Sequence, residues 1–431
     1  MALLGRTRNT LFSSRAARKF RRNRMAVASL AVILLYALLG GWLLIADAYA
    51  TLTDRRGFDR AESVIGSLFT ALTLDKVDAR VGPLRVRGWL ETPLAEDRAR
   101  FVEYYLGKFE RALRLKDSQD RAAAVRDLRF AERRVDMTPE ELLPRVRAIR
   151  DQYESLNAVD DLDAPDARGA RERLAGIESD IDSLFAPLSG VEKGLYDLRM
   201  SLGTDRQGRS IAARAIYSIK VALQVGFVVG FVSVLIGALL GAASGYFGGF
   251  LDQFIQWLFS TLSSVPDLVL LAVLAYAFTG SIFDDPSRPA LSLVPVYIAM
   301  CMTFWIGPCR VIRGETLKLK ELEYVQAAKA IGFSRFTILL RHVLPNTLHL
   351  MFINFSLLFI AAIKFEVVLS FLGLGVKAGP SWGRMIGEAT QEVINGNFWQ
   401  IGAATLLMFV LVLAFNILSD ALQDAFDPKH V

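Results

Sequence analysis

The sequence predicts an all-α, polytopic membrane protein with six transmembrane helices and a mainly helical domain inserted after the first of them. The chain has 431 residues, 53% of them hydrophobic, and its apolar residues are concentrated in blocks. Several blocks reach the length of about 20 residues that a helix needs to cross a bilayer. One polar stretch of roughly 150 residues separates the first block from the others.

The charge and the reactive residues exclude several classes of protein. The formal net charge is +6, but the basic residues cluster at the edges of apolar blocks. The positive-inside rule explains these clusters more simply than nucleic-acid binding does, so we expect no nucleic-acid partner. The two cysteines, Cys301 and Cys309, lie in or beside an apolar block, and histidines occur only at 342, 349 and 430. We therefore expect neither a metal site nor a disulfide framework.

The first apolar block follows a basic N-terminus. Residues 1–24 contain eight Lys or Arg residues and no acid, and residues 25–46 are uncharged. A signal peptide has a shorter apolar core and a small-residue cleavage site. We interpret 25–46 as a retained transmembrane helix and place 1–24 in the cytoplasm.

Residues 47–200 are rich in charge and contain no run long enough to cross a membrane. We expect them to form a mainly helical domain on the far side of the membrane. The sequence TPEE at 138–141 predicts a helix start, because it combines a capping box with proline at the first helical position. An apolar stripe predicts a packing face between helices: Phe101, Tyr104, Tyr105 and Phe109.

Five further transmembrane helices are predicted at about 221–246, 254–278, 290–308, 347–368 and 398–418. Glycines recur at multiples of three or four residues in the first of them, which predicts close helix contact inside lipid. Pro266 predicts a kink in the second. The neighbouring Asp267 is a candidate for a water-facing pathway or for a structural hydrogen bond.

A long loop, 310–346, separates two of these blocks, and its basic excess places it in the cytoplasm. Its residues 323–346 read EYVQAAKAIGFSRFTILLRHVLPN and predict two short helices joined at Gly332, where a helix stop is expected. The first helix has one face made mostly of small residues: Tyr324, Ala327, Ala328 and Ile331. Such a helix could rest on lipid headgroups, with nearby basic residues holding phosphates, or dock against another protein.

The order of residues in this loop resembles the EAA signature of ABC importer permeases. Ala327 and Ala328 are followed after three residues by Gly332, and after a further nine by HVLPN at 342–346. In that family the first helix is the coupling helix, which sits in a groove of a separate ATPase subunit. Gln326 stands where the signature usually has an acid. The resemblance marks as ATPase-coupling residues Tyr324, Gln326, Ala327, Ala328 and Gly332.

Other segments are similar to the dipeptide, oligopeptide and nickel branch of the same family. They are LGTDRQGRS at 202–210, LSFLGLG at 369–375, PSWG at 380–383 and the closing segment 418–428. A glycine-rich, aromatic turn at an outer membrane edge suits a gating segment. Trp382 alone would be an aromatic-belt anchor. Lys364 and Glu366, at the end of the fifth span, are costly if they face lipid, so they are expected either to snorkel to the outer interface or to pair within the subunit contact. There are then three candidates for the pathway or gate: Asp267, Glu366 and Trp382.

The resemblance implies a type I ABC importer permease with its core at 201–420 and a cytoplasmic tail at 421–431. Such a chain would be a multi-pass protein of the bacterial cytoplasmic (inner) membrane, with both termini in the cytoplasm. It would be a non-catalytic transport subunit, and the sequence contains no G-x-x-x-x-G-K-S/T motif for ATP. We expect it to bind no cofactor, since ATP and magnesium would be held by partner ATPases.

The implied partners are a second, similar permease, two ABC ATPase subunits, an extracytoplasmic substrate-binding protein and membrane lipid. Di- or oligopeptides are the expected substrate, and nickel complexes, opines or peptide antibiotics are alternatives. A bulky charged residue at Ala328 is expected to uncouple ATP hydrolysis from uptake while the protein stays inserted. Two rival functions are a passive channel and a membrane-anchored sensor or scaffold that works through residues 47–200.

Overall fold

The computed structural model of the chain describes residues 23–54, 95–130, 133–156, 168–187, 190–205, 207–278, 293–377, 379–394 and 398–426. These residues are almost entirely helical, which confirms the predicted all-α class. The exception is a short hairpin in which β1 (Arg129–Phe130) pairs antiparallel with β2 (Arg133–Arg134). Most of the predicted N-terminal segment 1–24 and the end of the predicted tail 421–431 lie outside the described residues.

The chain divides into two compact units, which we call the membrane unit and the polar unit. The membrane unit comprises Met1–Leu44, Ser218–Gly387 and Ala404–Val431, and the polar unit comprises Ile45–Tyr217 and Glu388–Ala403. Each has an apolar core of its own.

Short helices make up most of the described part of the polar unit. After the long first helix α1 (Arg24–Asp54), they are α2 (Ala95–Leu113), α3 (Ser118–Arg126), α4 (Pro139–Leu156), α5 (Arg168–Ser183) and α6 (Gly190–Met200). Helices α2, α4 and α5 pack on one another. Phe101, Tyr105 and Phe109 of α2 are buried in their shared core, and Tyr104 packs at its edge. The predicted apolar stripe is therefore a packing face between helices.

Helix α4 begins at the predicted capping box. The Thr138 N–H donates to the Glu141 carboxylate at 3.1 Å, and the Glu141 N–H donates to Thr138 Oγ1 at 3.4 Å. Two N–H groups at the start of the helix, which lack partners in the helix ladder, are satisfied in this way.

Among the described residues, five helical segments are long and apolar enough to cross a bilayer. They are Arg24–Tyr49, Ile211–Phe247, Val294–Leu319, Arg335–Phe371 and Trp399–Asp424. After α6 the chain continues with five helices: α7 (Ile211–Phe247), α8 (Gly249–Leu262), α9 (Asp267–Phe278), α10 (Val294–Phe304) and α11 (Ile306–Leu319).

Two short helices follow α11: α12 (Glu323–Ala330) and α13 (Arg335–Ile338). A π-helical turn, Leu339–Val343, and a 3-10 turn, Leu344–Thr347, then lead into α14 (Leu348–Phe371). The last helices are α15 (Trp382–Ile394) and α16 (Trp399–Phe426).

Helices α8 and α9 meet at 91°, and they supply a sixth span if they are counted as one broken span. Pro266 lies at this break, where its ring and its missing N–H prevent a continuous helix. The kink predicted at Pro266 is thus a right-angled turn, and it leaves Asp267 at the start of α9.

Three glycines let the backbone of α7 approach its neighbours closely. A Cβ atom at Gly237 would lie 2.6 Å from the Trp305 carbonyl oxygen, and one at Gly245 would lie 2.9 Å from the Arg313 carbonyl oxygen. A Cβ at Gly241 would collide with the Cys309 carbonyl. These three glycines therefore form the face on which α11 packs, and the first two glycines of the predicted repeat, Gly226 and Gly230, lie against Phe359 and Phe355 of α14.

Candidate coupling site

Helix α12 has the bounds that the loop sequence predicts. Leu322 before it is extended, and Glu323 places a carboxylate in its first turn, where the helix dipole favours negative charge. At its end Gly332 adopts φ +90°. The Gly332 N–H donates to the Lys329 carbonyl and the Phe333 N–H to the Ala328 carbonyl, the pattern of a Schellman stop.

One face of α12 is buried in its own chain. Val325 is 1% exposed and Ala328 5% exposed. Both belong to an apolar cluster contributed by α7, α11 and the segment after α12: Ala238, Ala242, Ile312, Leu319, Ile338, Leu339 and Val343. The helix is thus attached to two spanning helices through a packed core, which transmits displacement because it is close-packed.

Most of the predicted coupling residues lie on the other side of α12. Tyr324, Ala327 and Gly332 are exposed, and the neighbouring Ile331 keeps 76% of its surface accessible. Gln326 is also exposed, and its amide donates to the Lys320 carbonyl at 2.9 Å. Partial burial raises the pKa of the Tyr324 phenol above its ordinary value, so this hydroxyl is neutral at physiological pH.

Ala328 is the predicted coupling residue that does not share this exposed face. Its side chain packs into the cluster with Val325, so a large charged residue there would disrupt the interior of this chain. The exposed Ala327 and Ala330 leave the opposite side of the helix flat. A partner can therefore approach the α12 backbone closely only from that side.

Large apolar side chains surround α12 on the exposed surface. Ile331, Phe333, Phe336 and Leu340 are all exposed. Phe336 also touches Phe247 at the end of α7, with ring centroids 5.5 Å apart. A contiguous exposed apolar surface is typical of a protein or membrane contact.

An ion pair that the sequence did not reveal lies in the same unit. Arg313 of α11 donates to both carboxylate oxygens of Asp252 of α8, at 2.6 and 2.8 Å. Ser244 of α7 and Gln256 of α8 also donate to Asp252. Three helices therefore meet at this carboxylate. An acid three residues after Gly249, at the edge of an apolar block, was the available signal.

A second polar network lies in the polar unit at the segment LGTDRQGRS. Asp205 accepts from the backbone N–H groups of Gln207 and Arg209, both at 2.9 Å. Its other oxygen accepts from Arg209 Nε and Arg214 Nη1, both at 2.7 Å. Glu388 of α15 accepts from the same two guanidinium groups at 2.6 and 2.8 Å. Asp205 and Glu388 thus both accept from the two buried guanidinium groups.

The three pathway or gate candidates occupy different environments. Asp267 is exposed at the start of α9, and Trp382 is buried at the start of α15. Glu366 of α14 is 1% exposed, and it accepts from the Ser370 hydroxyl at 2.6 Å and from the Ser381 hydroxyl. Ser370 in turn accepts from the Val376 N–H at 3.1 Å. In this structure Glu366 fastens the segment between α14 and α15 to α14.

No group of three or more His, Cys, Asp or Glu residues within the described ranges is arranged to hold a metal ion. The described contacts of the site are packing surfaces and ion pairs. Together with several apolar spans, they define the class of helical, multi-pass membrane proteins.

Comparison with known proteins assigns the family. Residues 233–430 match the model described as "Binding-protein-dependent transport system inner membrane component". The chain belongs to this family of inner-membrane permeases, in the peptide branch of the ABC importers.

Curated relatives include the dipeptide transport system permease protein DppC of Bacillus subtilis, 35% identical over 256 residues, which are 58% of this chain and 77% of the relative. The oligopeptide transport system permease protein OppC of Salmonella typhimurium is 36% identical over 53% of this chain and 72% of its own length. The glutathione transport system permease protein GsiD of Pectobacterium atrosepticum is 34% identical over the same shares, 53% and 72%.

Proposed function

We propose that this permease subunit couples to a separate ATPase through the exposed side of α12 and imports short peptides. The observation that supports this most directly is the two-sidedness of α12. Val325 and Ala328 are packed against two spanning helices, while Ala327, Ala330 and Ile331 face outward on a flat, apolar surface. A helix built in this way can receive a force from a partner and pass it to the spans.

The proposed machine has four other protein components. A second, similar permease completes the translocation pathway, two ABC ATPase subunits bind ATP and magnesium, and an extracytoplasmic binding protein delivers the substrate. The family description, a component of a binding-protein-dependent transport system, supports this composition. This chain itself performs no hydrolysis in the proposal.

The proposed cycle uses α12 as a rigid lever. Closure of the ATPase dimer on ATP displaces α12, and the core around Val325 and Ala328 carries the displacement to α7 and α11. The Arg313–Asp252 ion pair extends this connection from α11 to the broken span of α8 and α9. The proposal therefore makes α8 and α9 respond to the ATPase without touching it.

Short peptides are the proposed substrates because the relatives are named for dipeptides, oligopeptides and glutathione. All three names describe small molecules with peptide bonds. Uptake of labelled di- and tripeptides into cells with and without this chain tests the proposal. Nickel complexes, opines and peptide antibiotics serve as competitors, and uptake that only one of these inhibits would replace the peptide assignment.

The proposed orientation places both termini and α12 in the cytoplasm and α2 to α6 outside it. The basic excess in residues 1–24 and 310–346 supports this arrangement. Cysteines introduced at the exposed Ala123 of α3 and Ile331 after α12 should react with an impermeant maleimide from opposite sides. Reaction of both from the same side would contradict the orientation.

The sharpest test of coupling is Ala327→Arg, with Ala123→Arg as its matched control. Both alanines are exposed on helices, so neither substitution disturbs a core. We expect Ala327→Arg to reduce co-purification of the ATPases and uptake by about tenfold or more, since a buried, unpaired charge at an interface costs several kcal/mol. Ala123→Arg should leave both unchanged.

The rival functions give different outcomes in the same experiment. A passive channel would conduct without any ATPase, and a sensor or scaffold would be unaffected by Ala327→Arg. Normal uptake and normal ATPase capture by the Ala327→Arg variant would refute the coupling proposal.

A further inference from the structure

The side chain of Asn346 connects α12 with the 3-10 turn that leads into α14. Its Nδ2 atom lies 2.8 Å from Tyr324 Oη and 2.7 Å from the backbone oxygen of His342. A carbonyl oxygen can only accept a hydrogen bond, so the nitrogen of this amide must face His342, and both of its protons are used. One side chain thus links α12, the π-helical turn and the 3-10 turn.

The segment that Asn346 links to α12 is not a regular α-helix, although it would have to be rigid to transmit a displacement. The π-helical turn Leu339–Val343 is followed at once by the 3-10 turn Leu344–Thr347, which contains Pro345. π-Helical turns are rare and occur frequently at functional sites. In a 3-10 ladder the N–H of residue 345 would donate to the His342 carbonyl, but proline has no N–H. The Asn346 amide donates to that same carbonyl and reinforces the weak point.

The hydrogen bond from Asn346 to Tyr324, which we call the bridge, also fixes α12 at a second place. Val325 and Ala328 attach the helix along one buried line, and a helix held along one line can roll about its axis. Tyr324 lies outside that line, on the exposed part of the helix. Its hydrogen bond to Asn346 therefore resists rolling, which the apolar contacts resist only weakly because they are not directional.

We propose that Asn346 is a positioning residue that makes α12 and α14 move as one body. The inference rests on the proposed function, since it matters for transport only if α12 receives the ATPase. Asn346 touches neither ATP nor substrate, and it acts by holding Tyr324 and the His342 carbonyl in place. Without it, ATP hydrolysis continues but part of the motion of α12 is lost before it reaches the spans.

The test compares Asn346→Ala with the matched control Asn354→Ala. Asn354 makes the same kind of bond within α14, since its Nδ2 donates to the Leu350 carbonyl at 2.8 Å, four residues earlier. Of these two asparagines, only Asn346 also donates a hydrogen bond to α12, at Tyr324. In the purified importer we expect amide exchange of residues 323–331 to accelerate about fivefold in Asn346→Ala, which corresponds to ~1 kcal/mol for one hydrogen bond. Asn354→Ala should leave this exchange unchanged.

A second readout separates positioning from general stability. The number of ATP molecules hydrolysed per peptide transported should rise severalfold in Asn346→Ala at an equal amount of assembled complex. Tyr324→Phe should produce part of this effect, and adding it to Asn346→Ala should change little further, since both remove the same bond. Fully additive effects would overturn the inference.

The failures of the two proposals can be told apart. If the wild-type chain captures ATPases and transports, but Asn346→Ala matches Asn354→Ala in exchange and in ATP used per peptide, only the role of Asn346 is refuted. If the wild-type chain captures no ATPase, the proposed function is refuted, and unchanged exchange in Asn346→Ala would then refute the bridge as well.

Discussion

Glu388→Gln should destabilise the protein far more than the loss of an ordinary carboxylate. Glu388 accepts from Arg209 at 2.6 Å and from Arg214 at 2.8 Å, and Asp205 is the other carboxylate of this network. Arg214 is fully buried and Arg209 nearly so. The glutamine keeps the shape but removes a negative charge that faces both guanidinium groups.

The size of the effect follows from the burial of the cations. Breaking a buried ion pair by removing one partner costs about 3–5 kcal/mol, because the remaining charge stays out of water. We expect the lower end of this range, since the glutamine oxygen can still accept one hydrogen bond. For a chain of this size such a loss lowers the melting temperature by several degrees.

The assay is thermal unfolding of the purified full-length chain. Glu172→Gln is the matched control, because its ion pair with Arg168 is highly exposed and a surface pair contributes about 0–1 kcal/mol. The double variant Arg209→Gln with Glu388→Gln removes one charge of each sign and should recover part of the loss. A melting temperature for Glu388→Gln within error of Glu172→Gln would show that the network does not hold the fold.

Two further predictions concern packing and pH. Gly237→Ala should reduce the yield of folded protein, because its Cβ would lie 2.6 Å from the Trp305 carbonyl oxygen, whereas Gly314→Ala meets nothing within 4 Å and should behave as wild type in size-exclusion chromatography. Burial raises the pKa of the Glu178 carboxyl despite the Arg98 guanidinium 3.4 Å away, so the folded chain holds this proton more tightly than the unfolded chain. The protonated Glu178 therefore adds to the free energy of unfolding. This addition is complete below the unfolded pKa of about 4 and is lost as the pH rises through the folded pKa. The melting temperatures of wild type and Glu178→Gln should diverge over that pH range. If the melting temperatures of the two proteins changed in parallel with pH, the raised pKa of Glu178 would be contradicted.

Much of the local structure could be predicted because the signals are themselves local. The Gly332 stop, the capping box at Thr138 and the break at Pro266 each depend on residues within four or five positions. The glycine face of α7 was predictable as a close contact, although the sequence did not say with which helices.

The rotation of α12 could not be predicted from its small residues. Alanine fits a buried face and an exposed face equally well, so the pattern did not distinguish Ala327 from Ala328. Val325, which the pattern left out, is the most buried residue of the helix. Hydrophobic periodicity identifies a buried face only when the other faces are polar. In this loop apolar side chains occur on every side, so the pattern could not show which face is buried.

The pairing of distant charges was also beyond the sequence. Arg209 and Glu388 are separated by 179 positions, and nothing local to either residue indicates the other. Glu366 posed a related difficulty. An acid inside an apolar block indicates a water-facing role or an internal partner equally well. Only the packing of the segment after α14 shows that two serine hydroxyls are its partners.

The separation of these charges has a consequence for biosynthesis. Asp205, Arg209 and Arg214 leave the ribosome together, but Glu388 follows 174 residues after Arg214. Until then Arg209 and Arg214 lack a carboxylate that accepts from both of them in the folded protein. The contacts at the start of α7 are therefore completed only after most of the chain has been translated.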